Sequence, residues 1–336
     1  MASSKTFEVA IIGGGIAGLT LAIALHHRGI KIQIYEQAKQ FGEIGAGVSF
    51  TPNAVQAMKL CHREVYDAFE KVCTRNLWPS KQKVWFDYLD AYGDGKTPLE
   101  RSQPVFTISN DLGQNGVHRA KFLDELIHLV PKELCHFNKR LNTITESDAG
   151  RSVMHFEDGS TAEADAVVGC DGIKSHVRRI LHGDQHPCAQ PQYTYKYAYR
   201  GVVPMKQAVD AIGEERASNA CMHLGPGGHV LTFPVNHGET LNIVAFTTTE
   251  TGWTEMTGKD SGQLTAPAHR EDALKDFKGY SGDVQQLLKL TKPNLDIWAI
   301  FDLGEHAPPS YAKGRTAILG DAAHATSPHH GAGAGL

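Results

Sequence analysis

The stretch FEVAIIGGGIAGLTLAIALHHRGIKIQIYE, Phe7 to Glu36, decides the architecture. Its first six residues read as a short apolar strand, GGGIAG as a turn, and LTLAIALHHRG as a helix that stops at Gly29. Ile30, Ile32 and Ile34 then alternate along a second strand. This order is a βαβ unit, the opening of a parallel doubly wound sheet. The turn carries Gly13-x-Gly15-x-x-Gly18. Gly13 permits the tight turn, Gly15 lets backbone approach a pyrophosphate, and Gly18 lets helix and strand pack closely. Ile16 and Ala17, within the same turn, are taken with the glycines as cofactor-binding. Glu36, ending the second strand, stands where a ribose-binding acid belongs. The pattern predicts an adenine dinucleotide without choosing between FAD and a nicotinamide cofactor.

Two later segments also run from a buried strand into a turn. ADAVVGC leads to Cys170-Asp171-Gly172, and RTAILGD leads to Gly320-Asp321. The stretch GEIGAGVSFTPNA, which contains Gly47, is too long for a tight turn and is expected to lie along a ligand. HRAKFLDELIHLV reads as a helix with Arg119 in its first turn. From about Pro191 the character changes to strands, YTYKYAYRGVVP, GGHVLTFPV and TLNIVAF, separated by the turns GPGG and NHGE. Alternation puts Tyr193, Tyr195, Tyr197 and Tyr199 on one face, a packing face, and Lys196 and Arg200 on the other. The expected fold is α/β. Residues 1–75, 106–182 and 292–336 form a Rossmann-like domain, and residues 76–105 and 183–291 form an inserted β-sheet domain.

Composition narrows the function. The chain has 336 residues, 21% charged, with a net charge of −4, so no basic excess argues for nucleic acid or an anionic membrane. Its 34 glycines are clustered, which fits backbone-to-ligand contact. Six cysteines without a CxxC pair read as free thiols in a reducing compartment. MASSKTFE lacks the order of a signal peptide, and the apolar run Val9 to Leu25 carries four glycines, so a cytoplasmic location is expected. His324, His329 and His330 with Asp321 match no usual ligand spacing, and no metal is expected. No G-x-S-x-G elbow argues for a hydrolase.

The glycine triplet, the segment DGIKSHVR at Asp171–Arg178, and GDAAH at Gly320–His324 followed by Pro328 occur in that order. Together they resemble the class A flavoprotein aromatic hydroxylases, most of all their fungal salicylate-hydroxylase-like branch, across nearly the whole chain. The resemblance implies a p-hydroxybenzoate-hydroxylase-like (GR2) fold, FAD as cofactor, and NADPH or NADH as co-substrate without a Rossmann domain of its own. It implies hydroxylation of a phenolic or polyketide-type molecule through a flavin hydroperoxide. Asp321 would meet the ribityl hydroxyls, Arg119 the cofactor's pyrophosphate, and Asp171 both FAD and NADPH. Gly331, Ala332 and Gly333 would open the helix that faces the flavin, with Pro328 beside its reactive part. Arg200 would stabilise a phenolate or carboxylate, and Phe233 stands where relatives often carry a substrate-orienting tyrosine. His223 and His229 are candidate proton acceptors, His223 the one selected. His330 stands where relatives commonly have Gln. GAGAGL resembles the start of a helix that the family continues with an acidic segment and further helices, and by this resemblance those C-terminal helices are missing from the sequence. The partner is a small aromatic molecule, and a homodimer is one assembly the reading allows. Two alternatives stay open: flavin oxidase or dehydrogenase chemistry, and a binding protein without monooxygenase activity.

Overall fold

The computed structural model describes residues 7–42, 47–93, 103–259 and 262–330. Its first layer is a six-stranded sheet in the spatial order Ala312–Lys313, Thr316–Ile318, Ala166–Gly169, Glu8–Ile12, Lys31–Tyr35, Cys135–His136. All neighbours are parallel except the first pair. The helix Ile16–His26 follows the first strand, as the glycine turn predicted. Leu19, Ala22 and Ile23 bury beside Ile11, Ile32 and Ile34, and Phe122 and Leu126 of the helix Arg119–His128 complete this core. Burial of each large aliphatic side chain contributes about 1.5–3 kcal/mol. On the opposite side Ala10, Ile12, Val167 and Ile318 pack with Met154 and Phe156 of a three-stranded antiparallel sheet.

The second layer is an eight-stranded sheet, ordered Thr265–His269, Asn294–Asp302, Gln192–Pro204, Thr240–Thr248, Gly228–Val235, Cys221–Gly225, Val84–Asp90, Phe106–Ser109. Strands Phe106–Ser109 and Asn294–Asp302 hydrogen-bond in this sheet, so the expected boundaries at 106 and 292 assign both to the wrong layer. Local pattern marks them as strands, but only long-range pairing says which sheet they join. One face is covered by helices, including Met205–Ile212, Arg270–Asp276 and Gly282–Lys289, over Val230, Ile243, Ala245, Tyr197 and Tyr199. The hydroxyls of Tyr197 and Tyr199 both donate to Asp276 Oδ2 at 2.7 Å.

Tyr195 leaves the expected tyrosine face. The register slips between Tyr193 and Lys196, and Tyr195 takes a positive φ of 57° with its side chain 52% exposed. A bulge of this kind bends the strand and breaks the alternation on which the expectation rested. A two-stranded ribbon, Gly47–Ser49 paired with Gly116–His118, lies against the second sheet: a Cβ added to Gly47 or Gly116 would fall 2.7 or 2.8 Å from the Phe233 ring. All six cysteines are unbridged. Among the described residues no helix is long and apolar enough to cross a membrane.

Candidate active site

Four turns at the carboxyl ends of adjacent parallel strands build the site: those at Gly13, Glu36, Asp171 and Asp321. Ligands of open α/β sheets bind at this edge. Gly13 has φ 105°, and a Cβ there would meet the Cys170 carbonyl oxygen at 2.4 Å. A Cβ on Gly18 would lie 2.0 Å from the Gly13 carbonyl oxygen, so this glycine is needed for helix–strand contact. Gly15 differs: a Cβ there meets nothing within 4 Å. It N-caps the helix without a side-chain partner, and the first-turn residues Ile16 and Ala17 follow it. The helix dipole and these N–H groups therefore favour an anion at Gly15.

A cleft of about 300 Å³ runs past Gly13, Gly14, Gly15, Glu36, Asp171 and Gly172. Glu36 Oε2 accepts from the Gly14 N–H at 2.7 Å, and its other oxygen from Ala38 N–H at 2.8 Å. It thus shapes the phosphate turn as well as lining the cleft. Lys139 and Phe41 also line it, and neither belongs to a motif that would have announced it.

The Asp171 carboxylate does not face this cleft as a free ligand group. It accepts from the Ser175 hydroxyl at 2.6 Å and from the N–H groups of His176 and Val177 at 2.7 and 3.1 Å. It therefore caps the helix His176–His182, and the Asp171–Gly172 backbone lines the cleft. Arg178, in the same helix, is fully buried and donates to the carbonyl oxygens of Cys188, Ala322 and Ile173 at 2.7, 2.8 and 2.5 Å. The sequence placed Arg178 in a motif without revealing this bridge to the Gly320–His324 turn.

Gly320 reaches φ 64° and sits against Ala17, where a Cβ would come within 2.9 Å of the alanine methyl. This brings Asp321 beside the first turn of the dinucleotide helix. Burial raises the Asp321 carboxyl above its ordinary pKa, while the charges of Arg119 and His324 oppose that rise. The charge of Arg119, in the first turn of its helix, is thus felt at Asp321. Gly331, Ala332 and Gly333 lie outside the described residues. Pro328 opens a short 3-10 turn, Pro328–His330.

The face of the eight-stranded sheet opposite the helices carries Arg200, His229, Leu231, Phe233, Asn242, Val244 and Phe246, as the pairings Arg200–Val244–Leu231 and Phe246–His229 fix. The Arg200 guanidinium stands 4.5 Å over the Trp298 ring. His229 stacks on Phe246 at 4.8 Å, and His329, from the turn after Asp321, meets Phe246 at 5.0 Å and His229 at 5.3 Å. The loop behind Asp321 therefore closes onto the face that holds Arg200. Burial lowers the His229 pKa to about 4, helped by His329 and Lys196, so the ring is neutral at pH 7.

Two expected site residues fall elsewhere. His223 pairs with Val230 on the helix-covered face, 1% exposed, and burial lowers its pKa to about 4. It cannot meet a substrate held beside Arg200. Phe233 points the right way but is 1% exposed, wedged against Gly47 and Gly116, and serves as packing between ribbon and sheet. Among the described residues one group could hold a metal ion: His27, His62 and Glu64. The two imidazoles stack at 3.6 Å with 8° between planes, which sets their in-plane nitrogens side by side instead of converging, and His62 Nδ1 accepts from the Glu64 N–H. This is a helix cap far from the cleft.

A cleft with an open Gly15, an uncapped helix N-terminus and acids at the strand ends fits an adenine dinucleotide. Comparison with known proteins specifies which. A model of an FAD binding domain matches residues 134–336, and one of an NAD(P)-binding Rossmann-like domain matches residues 11–92. The chain is 47% identical over 332 residues to the FAD-dependent monooxygenase pigN of Monascus ruber, covering 98% of this chain and 73% of that protein. It is 44% identical over 340 residues to the 6-methylsalicylate 1-monooxygenase atA of Aspergillus terreus, covering 100% of this chain and 73% of that protein. A solved salicylate hydroxylase substrate complex is 34% identical with a TM-score of 0.82, covering 99% of this chain and 77% of that one. The chain belongs to the FAD-dependent monooxygenases. It is a flavoprotein oxidoreductase that uses FAD with NAD(P)H.

Proposed function

We propose that this enzyme hydroxylates a small phenolic or polyketide-type aromatic molecule held beside Arg200, on the face of the eight-stranded sheet opposite the helices. What carries the reading is the placement of Arg200 over Trp298 on the face that His329 closes from the Asp321 turn. The relatives named for 6-methylsalicylate and salicylate support the same substrate class. The division of labour follows: the six-stranded layer holds cofactor, and the eight-stranded layer faces substrate. A homodimer and a cytoplasmic location belong to the same proposal.

Gly13, Gly15, Ile16, Ala17, Gly18 and Glu36 would hold the ADP half of FAD. Asp321, Arg119, Gly47 and Pro328 would meet the rest, and by the sequence resemblance Gly331, Ala332 and Gly333 would contribute as well. Bound FAD supplies the redox chemistry, passing two electrons from NAD(P)H to O2 so that one oxygen atom enters the ring and the other leaves as water. The chain's own residues govern the substrate. Arg200, standing over Trp298 and always cationic, stabilises the phenolate and so lowers the phenol's pKa in place. Neutral His229, whose Nε2 has no partner among the described residues, offers a hydrogen-bond site for the phenolic oxygen. Phe246, Leu231 and Val244 exclude water from the ring.

The test is turnover of the FAD-loaded protein with NADH or NADPH, O2 and a panel of hydroxylated benzoates and acylphenols. A product heavier by one oxygen atom, formed in step with NAD(P)H consumption, is the expected result. Hydrogen peroxide with no oxygenated product from any phenol would point to oxidase chemistry and overturn the reading. Flavin uptake with no NAD(P)H oxidation would point to a binding protein.

A further inference from the structure

Asn242 is 1% exposed, on the same sheet face as Arg200 and paired with Val202 and Phe233. Its Oδ1 accepts a hydrogen bond from the Gly47 N–H at 3.1 Å. Its Nδ2 has no partner among the described residues. Burying an unsatisfied amide donor is destabilising, so a carboxamide at this place needs a reason. Leucine would fill the space without an orphaned donor, but it would leave Gly47 unbonded.

Gly47 is where the ribbon touches the sheet. A Cβ there would lie 2.7 Å from Asn242 Cγ and 2.7 Å from the Phe233 ring. Gly47 also pairs with His118, and the next residue, Arg119, is the cation whose charge reaches Asp321. One hydrogen bond therefore connects the substrate-facing sheet to a ribbon that leads into the cofactor side.

We infer that Asn242 is a positioning residue: its amide oxygen fixes the Gly47–Ser49 strand at the height the FAD site requires, so that the substrate layer sets cofactor affinity. The inference rests on assigning Gly47 to the cofactor. Asn242→Leu removes the acceptor at similar volume, whereas Asn242→Asp keeps an oxygen in its place. The measurements are FAD dissociation constants by quenching of flavin fluorescence, melting of the apoprotein, and KM against kcat for NAD(P)H oxidation.

The expected result is an FAD affinity at least ten-fold weaker in Asn242→Leu and within three-fold of wild type in Asn242→Asp, with kcat per bound flavin changed less than affinity. Unchanged FAD affinity in Asn242→Leu, with only a lower melting temperature, would make the residue structural and overturn the inference. Should Asn242→Leu fail to fold, Asn242→Ala decides: a ten-fold loss of FAD affinity in a folded apoprotein supports the acceptor role, and unchanged affinity overturns it. A wild-type chain that takes up no FAD would overturn the cofactor reading together with this one.

Discussion

The Arg178 Nη1 donates to the Ala322 carbonyl oxygen at 2.8 Å, joining the helix His176–His182 to the segment after Gly320 across 144 residues of chain. With its bonds to Cys188 and Ile173, this buried cation anchors three backbone carbonyls, and burial lowers its pKa. Arg178→Met leaves those carbonyls unpaired and is expected to destabilise the fold by about 3–5 kcal/mol. Because Asp321 precedes Ala322, FAD affinity should fall as well. Chemical denaturation and flavin titration of the variant check both; an unchanged affinity would mean that the Asp321 turn holds its place without Arg178.

The glycines of the first turn separate binding from stability. Gly15→Val projects into the open cleft, so apoprotein melting should hardly move while FAD affinity falls at least ten-fold. Gly18→Ala places a methyl against the Gly13 carbonyl and should cost about 1–3 kcal/mol before any ligand is considered. Melting curves of the two apoproteins, followed by flavin titration, distinguish these effects.

Asp171→Ala tests the cap. Three donors lose their acceptor, and stability should drop by about 0.5–2 kcal/mol. Any weakening of FAD should stay within the change that this loss of stability explains. A hundred-fold loss of FAD affinity at unchanged melting temperature would instead mean a direct contact from the carboxylate.

Acid lability should come in part from His223. Its folded-state pKa of about 4 lies below the ordinary 6.5, so in that window the unfolded chain binds a proton that the folded chain refuses. Stability is full above about pH 6.5, falls as the pH drops toward 4, and levels off below it. The contribution is roughly 3 kcal/mol by pH 4. Urea midpoints measured at pH 7 and pH 4.5 should differ less in His223→Gln than in wild type.

Arg200→Lys keeps the charge but loses the plane that lies on Trp298. KM for the phenolic substrate should rise about ten-fold or more, and lowering the phenol's own pKa with electron-withdrawing groups should restore part of the loss. Steady-state kinetics across a series of such phenols measures it.

The first βαβ unit was legible because its signals are local: alternation, helical period and three glycines at fixed offsets. The motifs marked the strand-end turns at Gly13, Glu36 and Asp171, which line one cleft in the fold. What escaped depends on pairing between distant segments. Alternation cannot foresee the bulge that turns Tyr195 outward. Nor can it say which face of a sheet the helices will cover, and that choice seals His223 away while leaving His229 beside Phe246. An aspartate after a strand reads equally well as a ligand or as a helix cap, and the three donors around Asp171 settle its side chain as a cap. Strands at the borders, Phe106–Ser109 and Asn294–Asp302, look alike whichever sheet they join.

The four strand-end turns lie at residues 13, 36, 171 and 321, in the order in which a ribosome releases them. The turns at Gly13 and Glu36 are therefore available to a growing chain long before the turn at Asp321, and Arg178, which ties that turn in, is made between them. The cradle can be completed only once Ala322 has reached Arg178.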